Sequence, residues 1–153
     1  MTPDTPEAVP PLRVLCIDDN RDVADSEVDL LRVVGFEARA CYDGPAALVE
    51  AIAFRPGVCL IDLNMPGMDG DELALRLRKW AVDVPLVLVA VTAMNNEESS
   101  RRIQSAGFDL HLTKPVDPHN LIAVVDALWK AWATGNEGHI REARSPDRSA
   151  ASQ

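Results

Sequence analysis

Five short apolar runs alternate along the chain with longer stretches of helical period. Leu12-Arg13-Val14-Leu15-Cys16-Ile17 and Val58-Cys59-Leu60-Ile61-Asp62-Leu63 read as buried strands. Leu86-Val87-Leu88-Val89-Ala90-Val91 is apolar throughout, as a central parallel strand covered on both faces is. Phe36-Glu37-Ala38-Arg39-Ala40-Cys41 alternates apolar with polar residues, the pattern of a strand nearer the sheet edge. Asp109-Leu110-His111-Leu112-Thr113 is the last strand.

The intervening segments carry helical spacing and helical punctuation. Ala24, Val28 and Leu31 share one face of a first helix that Gly35 stops with a left-handed cap. Gly44-Pro45 opens a second helix with Leu48, Ala51 and Ile52 facing inward, and Arg55-Pro56-Gly57 ends it. A third helix is expected over residues 69–80, with Leu73, Leu77 and Trp80 one turn apart and Trp80 in a packing role. Asn95 or Asn96 caps a fourth that runs to Ala106, with Glu97, Glu98, Arg101 and Arg102 outward and little beyond Ile103 and Ala106 inward. So thin a stripe predicts a loosely held helix. Asp117-Pro118 opens a fifth, striped by Leu121, Val124, Val125, Leu128, Trp129 and Trp132. Five strands alternating with five helices define an α/β chain: a doubly wound, five-stranded parallel sheet with right-handed crossovers. The expected organisation is a flexible Pro-rich arm over residues 1–11, one domain over 12–132 and a polar, disordered tail over 133–153.

The strand ends carry the chemistry. Asp18 and Asp19 close the first strand, Asp62 the third, Thr92 the fourth and Lys114 the fifth, so one rim of the sheet gathers three acids, a hydroxyl and an ammonium. Ligands of open parallel sheets bind at that rim. Singly, each residue has a plainer role: a strand-end Asp hydrogen-bonds its turn, an Asp after the first strand caps the next helix, Thr favours strands, and Lys before Pro sits in a solvated turn that can be cis. A helix cap accounts for one of the adjacent acids and leaves the other, because like charges about 4 Å apart repel by about 1 kcal/mol in water and about 4 kcal/mol at an effective dielectric near 20.

Composition narrows the partners. The chain has 153 residues, 47% apolar and 25% charged, which supports one filled core. Its formal charge of -9 opposes nucleic acid binding and suits a divalent cation. No apolar run approaches a membrane span, and the start resembles no signal peptide, so a cytoplasmic location is expected. Cys16, Cys41 and Cys59 fall inside strands and read as small buried hydrophobes in a reducing compartment.

Taken together, residues 12–132 resemble the response regulator receiver domain of two-component signalling. The resemblance rests on Asp18-Asp19-Asn20, on Asp62 followed by Met65-Pro66-Gly67-Met68-Asp69-Gly70, on Thr92-Ala93, on Lys114-Pro115, and on the intervals between them. It implies a flavodoxin-like strand order 2-1-3-4-5 and phosphorylation of Asp62 by a partner histidine kinase or histidine phosphotransfer protein. Phosphoryl transfer is mostly electrostatic positioning, and Mg²⁺ suits a site offering few carboxylates. The expected ligands are Asp19, Asp62 and the backbone carbonyl of Asn64, with Asp18 acting through water; Lys114 and Thr92 hold phosphoryl oxygens. His111 stands where the family usually has an inward-turning aromatic switch, and it reads equally as a half-buried strand histidine. Met94 is expected to impede water and slow self-hydrolysis.

No helix-turn-helix pattern follows the fifth helix, so the expected output is contact with a downstream protein, and catalysis is confined to the chain's own phosphorylation and dephosphorylation. Two alternatives stand beside this: a phosphate shuttle or sink in a hybrid-kinase relay, which the Lys114-Pro115-Val116-Asp117-Pro118 context resembles, and an inert receiver used as a binding module. Haloacid-dehalogenase-type phosphatases also use an Asp nucleophile with Mg²⁺, but within an Asp-x-Asp pattern of the first strand that this chain lacks.

Overall fold

The computed structural model describes residues 11–134, with side chains as far as Ala131. Along the chain run β1 (Arg13–Ile17), α1 (Arg21–Val33), β2 (Glu37–Cys41), α2 (Gly44–Phe54), β3 (Val58–Asp62), α3 (Gly70–Trp80), β4 (Val87–Thr92), α4 (Glu97–Ser105), β5 (Leu110–Thr113) and α5 (Pro118–Thr134). The strands form one parallel sheet in the order β2-β1-β3-β4-β5, the flavodoxin-like arrangement. Helix α5 extends to Thr134, into the stretch expected to begin the tail; the rest of that tail, the arm before Pro11 and the side chain of Trp132 lie outside the described residues.

Strand alternation splits the core in two. Leu15, Ile17, Cys59, Ile61 and Leu88 face α2 and α3, meeting Ala47, Ala51, Phe54, Leu73 and Leu77. Val14, Cys16, Leu60, Val89 and Val91 face α1 and α5, meeting Val28, Leu31, Leu121, Val125 and Leu128. Every residue of β3 and β4 is buried, as continuous apolar runs require. All three cysteines are free and buried, and burial raises their thiol pKa values, that of Cys41 to about 11.

Two packing expectations change. Ile52 is 61% exposed, because the inner face of α2 is the set Ala47, Ala51 and Phe54, spaced three and four apart, and Ile52 lies roughly 100° round the helix from Ala51. Trp80, the last residue of α3, is 37% exposed, and Ala81 takes the buried place after Leu77.

The helix starts explain why the acids remain available. Asn20, not Asp18 or Asp19, caps α1, its Oδ1 accepting from the amides of Asp22 and Val23. Asn96 caps α4 and Asp43 caps α2 in the same way. After β3 the chain turns at Gly67, which has φ +83°, and returns so closely at Gly70 that its amide bonds Leu63 O at 2.9 Å. A Cβ on Gly70 lies against the carbonyl oxygen of Asp62 and 2.9 Å from Leu63 Cα, with backbone on both sides. Gly70→Ala is therefore expected to destabilise the fold by about 1–3 kcal/mol through overpacking. Denaturant unfolding that matches the wild type would show that this turn has room to spare.

Candidate functional site

The C-terminal rim of the sheet brings the acids and the ammonium together. Asp18 and Asp62 are 2% and 6% exposed, whereas Asp19, one residue further, is open to solvent. One carboxylate oxygen from each of Asp18, Asp19 and Asp62 lies within 4.8 Å of the others. Lys114 Nζ stands 2.9 Å from Asp18 Oδ2 and 3.4 Å from Asp62 Oδ1. The Lys114–Pro115 peptide bond is cis.

Thr92 ends β4, one residue beyond Val91, the register partner of Asp62. It is buried, its Oγ1 accepts from the Met94 amide at 3.0 Å, and its carbonyl accepts from the Lys114 amide at 2.9 Å. Met94 is 47% exposed, and its Sδ accepts from Asn64 Nδ2 at 3.8 Å. His111 differs from expectation: it lies on β5 opposite Ala90 with its side chain exposed rather than half-buried, because residue alternation on this edge strand buries Leu112 instead.

The electrostatics follow from crowding. Burial, then the charge of Asp18, raises Asp62 to about 7, with Lys114 opposing. Burial alone lowers the Lys114 pKa, but its bond to Asp18 and the charges of Asp62 and Asp18 raise it overall. Oxygen donors of this kind fit Mg²⁺, and among the described residues this is the one such grouping of His, Cys, Asp and Glu. A proton on Asp62 would compete with a cation for the same oxygens.

Two participants were not anticipated. Glu27 sits on the buried side of α1, 8% exposed, and lines a cleft of about 720 Å³ with Lys114, Pro115 and Leu121. Burial, then the charge of Asp18, raises its pKa to about 7. Arg102, expected on the outer face of α4, turns inward and donates to Asp71, Asn64 and the Leu63 carbonyl. Spacing carries the signal for both: Glu27 falls three after Ala24 and four before Leu31, and Arg102 falls three after the buried Ser99 and four before Ala106.

A five-stranded parallel sheet in the order 2-1-3-4-5 with acids and a lysine at its C-terminal rim is the arrangement of a flavodoxin-like signalling fold, and the sequence comparison agrees: residues 14–126 match the response regulator receiver domain model. The chain belongs to that family. It is 35% identical over 139 residues to the sensor histidine kinase GacS of Pseudomonas protegens, covering 88% of this chain and 15% of that protein. It is 37% identical over 115 residues to the sensory transduction protein RegX3 of Mycobacterium tuberculosis, covering 75% of this chain and 49% of the relative. The chain thus spans half or less of the length of these curated relatives. Among solved structures it is similar to the chemotaxis protein CheY4 of Vibrio cholerae, with a TM-score of 0.72, 26% identity, and coverage of 76% of this chain and 97% of that one. No helix among the described residues is long and apolar enough to cross a membrane.

Glu27 makes a pH prediction. Its folded pKa, about 7, exceeds the ordinary 4.5, so between those values the folded state holds the extra proton, and the stabilisation present below pH 4.5 is lost as pH rises through 7. Glu27→Leu is expected to stabilise the fold at pH 8 by on the order of 2 kcal/mol, with the gain shrinking toward pH 5. Thermal unfolding of both proteins at the two pH values measures it; an equal gain at each would refute the assignment.

Proposed function

We propose that residues 12–132 form a receiver domain that accepts a phosphoryl group on Asp62 from the phosphohistidine of a sensor histidine kinase or a histidine phosphotransfer protein. The observation that carries this reading is the ammonium of Lys114 within 3.4 Å of Asp62 and 2.9 Å of Asp18, beside an acid cluster with a net negative charge. A carboxylate oxygen of Asp62 attacks phosphorus, the N–P bond breaks, and its electron pair returns to the imidazole. Lys114 and the Thr92 hydroxyl hold the phosphoryl oxygens whose charge grows in the transition state. Asp19, Asp62 and the backbone carbonyl of Asn64 would hold Mg²⁺ directly, with Asp18 acting through water, and the ion would supply neutralisation of phosphoryl charge there.

Catalysis is limited to the chain's own phosphorylation and dephosphorylation. The signal leaves by protein contact across α4, β5 and α5 in the cytoplasm, after Thr92 and the β4–α4 loop move toward the acyl phosphate. His111 is the candidate switch residue on that face. A second reading, the phosphate shuttle, draws support from the similarity of 88% of the chain to part of a sensor histidine kinase.

Mixing the protein with Mg²⁺ and acetyl phosphate is expected to give one acid-stable, base-labile adduct, absent from Asp62→Asn. Its absence from the wild type would leave only a binding module. Rapid loss of label to a histidine phosphotransfer protein selects the shuttle, and retention selects the stand-alone switch. Because the Met94 side chain lies against Asn64, Met94→Ala is expected to shorten the phosphorylated lifetime several-fold by admitting water, measured as decay of label after removal of donor. A wild-type lifetime of seconds counts against that role.

A further inference from the structure

Helix α4 has little apolar anchorage: of Glu97–Ser105 only Ser99 is buried, joined by Ala106 just beyond. What ties it down is polar. Arg102 Nε and Nη2 grip both oxygens of Asp71 at 3.1 and 3.0 Å, a bidentate pair across to α3. The same guanidinium gives Nη1 to Asn64 Oδ1 at 2.8 Å and Nη2 to the Leu63 carbonyl at 3.2 Å. Asp69 lies 3.8 Å away. The pairing is sheltered, with Arg102 and Asp71 side chains 23% and 30% exposed, and the bond lowers the Asp71 pKa while raising that of Arg102.

We propose that Arg102 is a positioning residue for the acceptor loop and the coupling between that loop and α4. Leu63 and Asn64 are the two residues that follow Asp62, so one side chain of α4 holds the backbone and side chain next to the phospho-acceptor. Asn64 extends the link, because its Oδ1 is engaged by Arg102 while its Nδ2 donates to Met94 in the β4–α4 loop. Whatever resets Asn64 at the site must then strain or release the clasp on α4, and loosening α4 must reciprocally weaken whatever Asn64 holds. This route enters α4 from β3, apart from the one through Thr92.

The inference rests on the phospho-acceptor reading only where Mg²⁺ is the probe, and the test has one arm without it. In the metal-free full chain, Arg102→Ala is expected to speed amide exchange in α4 about tenfold and to move the Asn64 amide resonances. In the Mg²⁺ arm, half-saturation is expected to rise at least about threefold, and the change in α4 exchange that Mg²⁺ with beryllofluoride produces in the wild type should disappear. Asp71→Asn keeps the bonds to Asn64 and Leu63 but loosens α4, so it should raise half-saturation in the same direction as Arg102→Ala and by less. Arg102→Lys, lacking the planar fork, serves if the alanine variant fails to fold, and is read by the same criteria.

Faster α4 exchange with unmoved Asn64 resonances and wild-type Mg²⁺ half-saturation would overturn the coupling and leave Arg102 a plain tie. Unchanged α4 exchange would overturn it as well. If the wild type itself binds no Mg²⁺, the site reading fails, and the metal-free arm still decides the role of Arg102.

Discussion

Three carboxylates held within 4.8 Å of one another, with two of them buried, form the constraint on which this molecule turns. In water such charges repel by about 1 kcal/mol per pair, and at an effective dielectric near 20 by about 4 kcal/mol. They have no freedom to separate, because Asp18 follows β1 and Asp62 ends β3, neighbours in the sheet with Ile17 opposite Ile61. Relief comes from outside those strands. Lys114 arrives from the end of β5 and satisfies part of the charge, while burial and then the charge of Asp18 still raise the pKa of Asp62. The charge that Lys114 leaves uncompensated suits the rim to a divalent cation.

The fold places that rim by ordinary means. Parallel pairing brings all C-terminal ends to one edge, and burial of β3 and β4 on both faces leaves only that edge for polar groups. Local chemistry keeps the acids free. Because Asn20 caps α1, Asp18 Oδ1 needs only the Asn20 amide at 2.9 Å, and its second oxygen reaches Lys114. Gly70, packed on the backbone of Asp62 and Leu63, lets α3 begin close enough for Asp71 to meet Arg102. The same tight turn thus serves the site and its connection to α4.

Most of the fold and the acid cluster could be read from the sequence because both are one-dimensional patterns: runs of apolar residues, helical spacing, and polar residues at fixed ends. Errors arose where angular position decides. Ile52 is apolar and adjacent to the true inner stripe, yet one residue of rotation turns it to solvent. Arg102 failed in the opposite sense: charge argued for solvent, while position on the helix argued for burial, and position won because the guanidinium found Asp71. Glu27, not anticipated from the sequence, is buried by position alone, beside the like charge of Asp18. At His111 the edge strand left the side chain exposed, where a central strand would have covered it. Charge is a weak guide to exposure wherever opposite charges converge.

The loose hold on α4 and the polar nature of that hold belong to one argument. A helix docked by a broad apolar stripe gains about 25 cal/mol per Å² buried, and a single added phosphoryl group could not shift it. Couplings between sites are commonly about 1–3 kcal/mol, so a movable element must have a docking energy of that same order. One buried serine, one buried alanine and a sheltered guanidinium–carboxylate pair give α4 a hold of that kind. Because the guanidinium also touches Leu63 and Asn64, part of the polar hold on α4 runs along the line that leads to Asp62. The way α4 is held thus ties it to the two residues that follow Asp62, before any partner is considered.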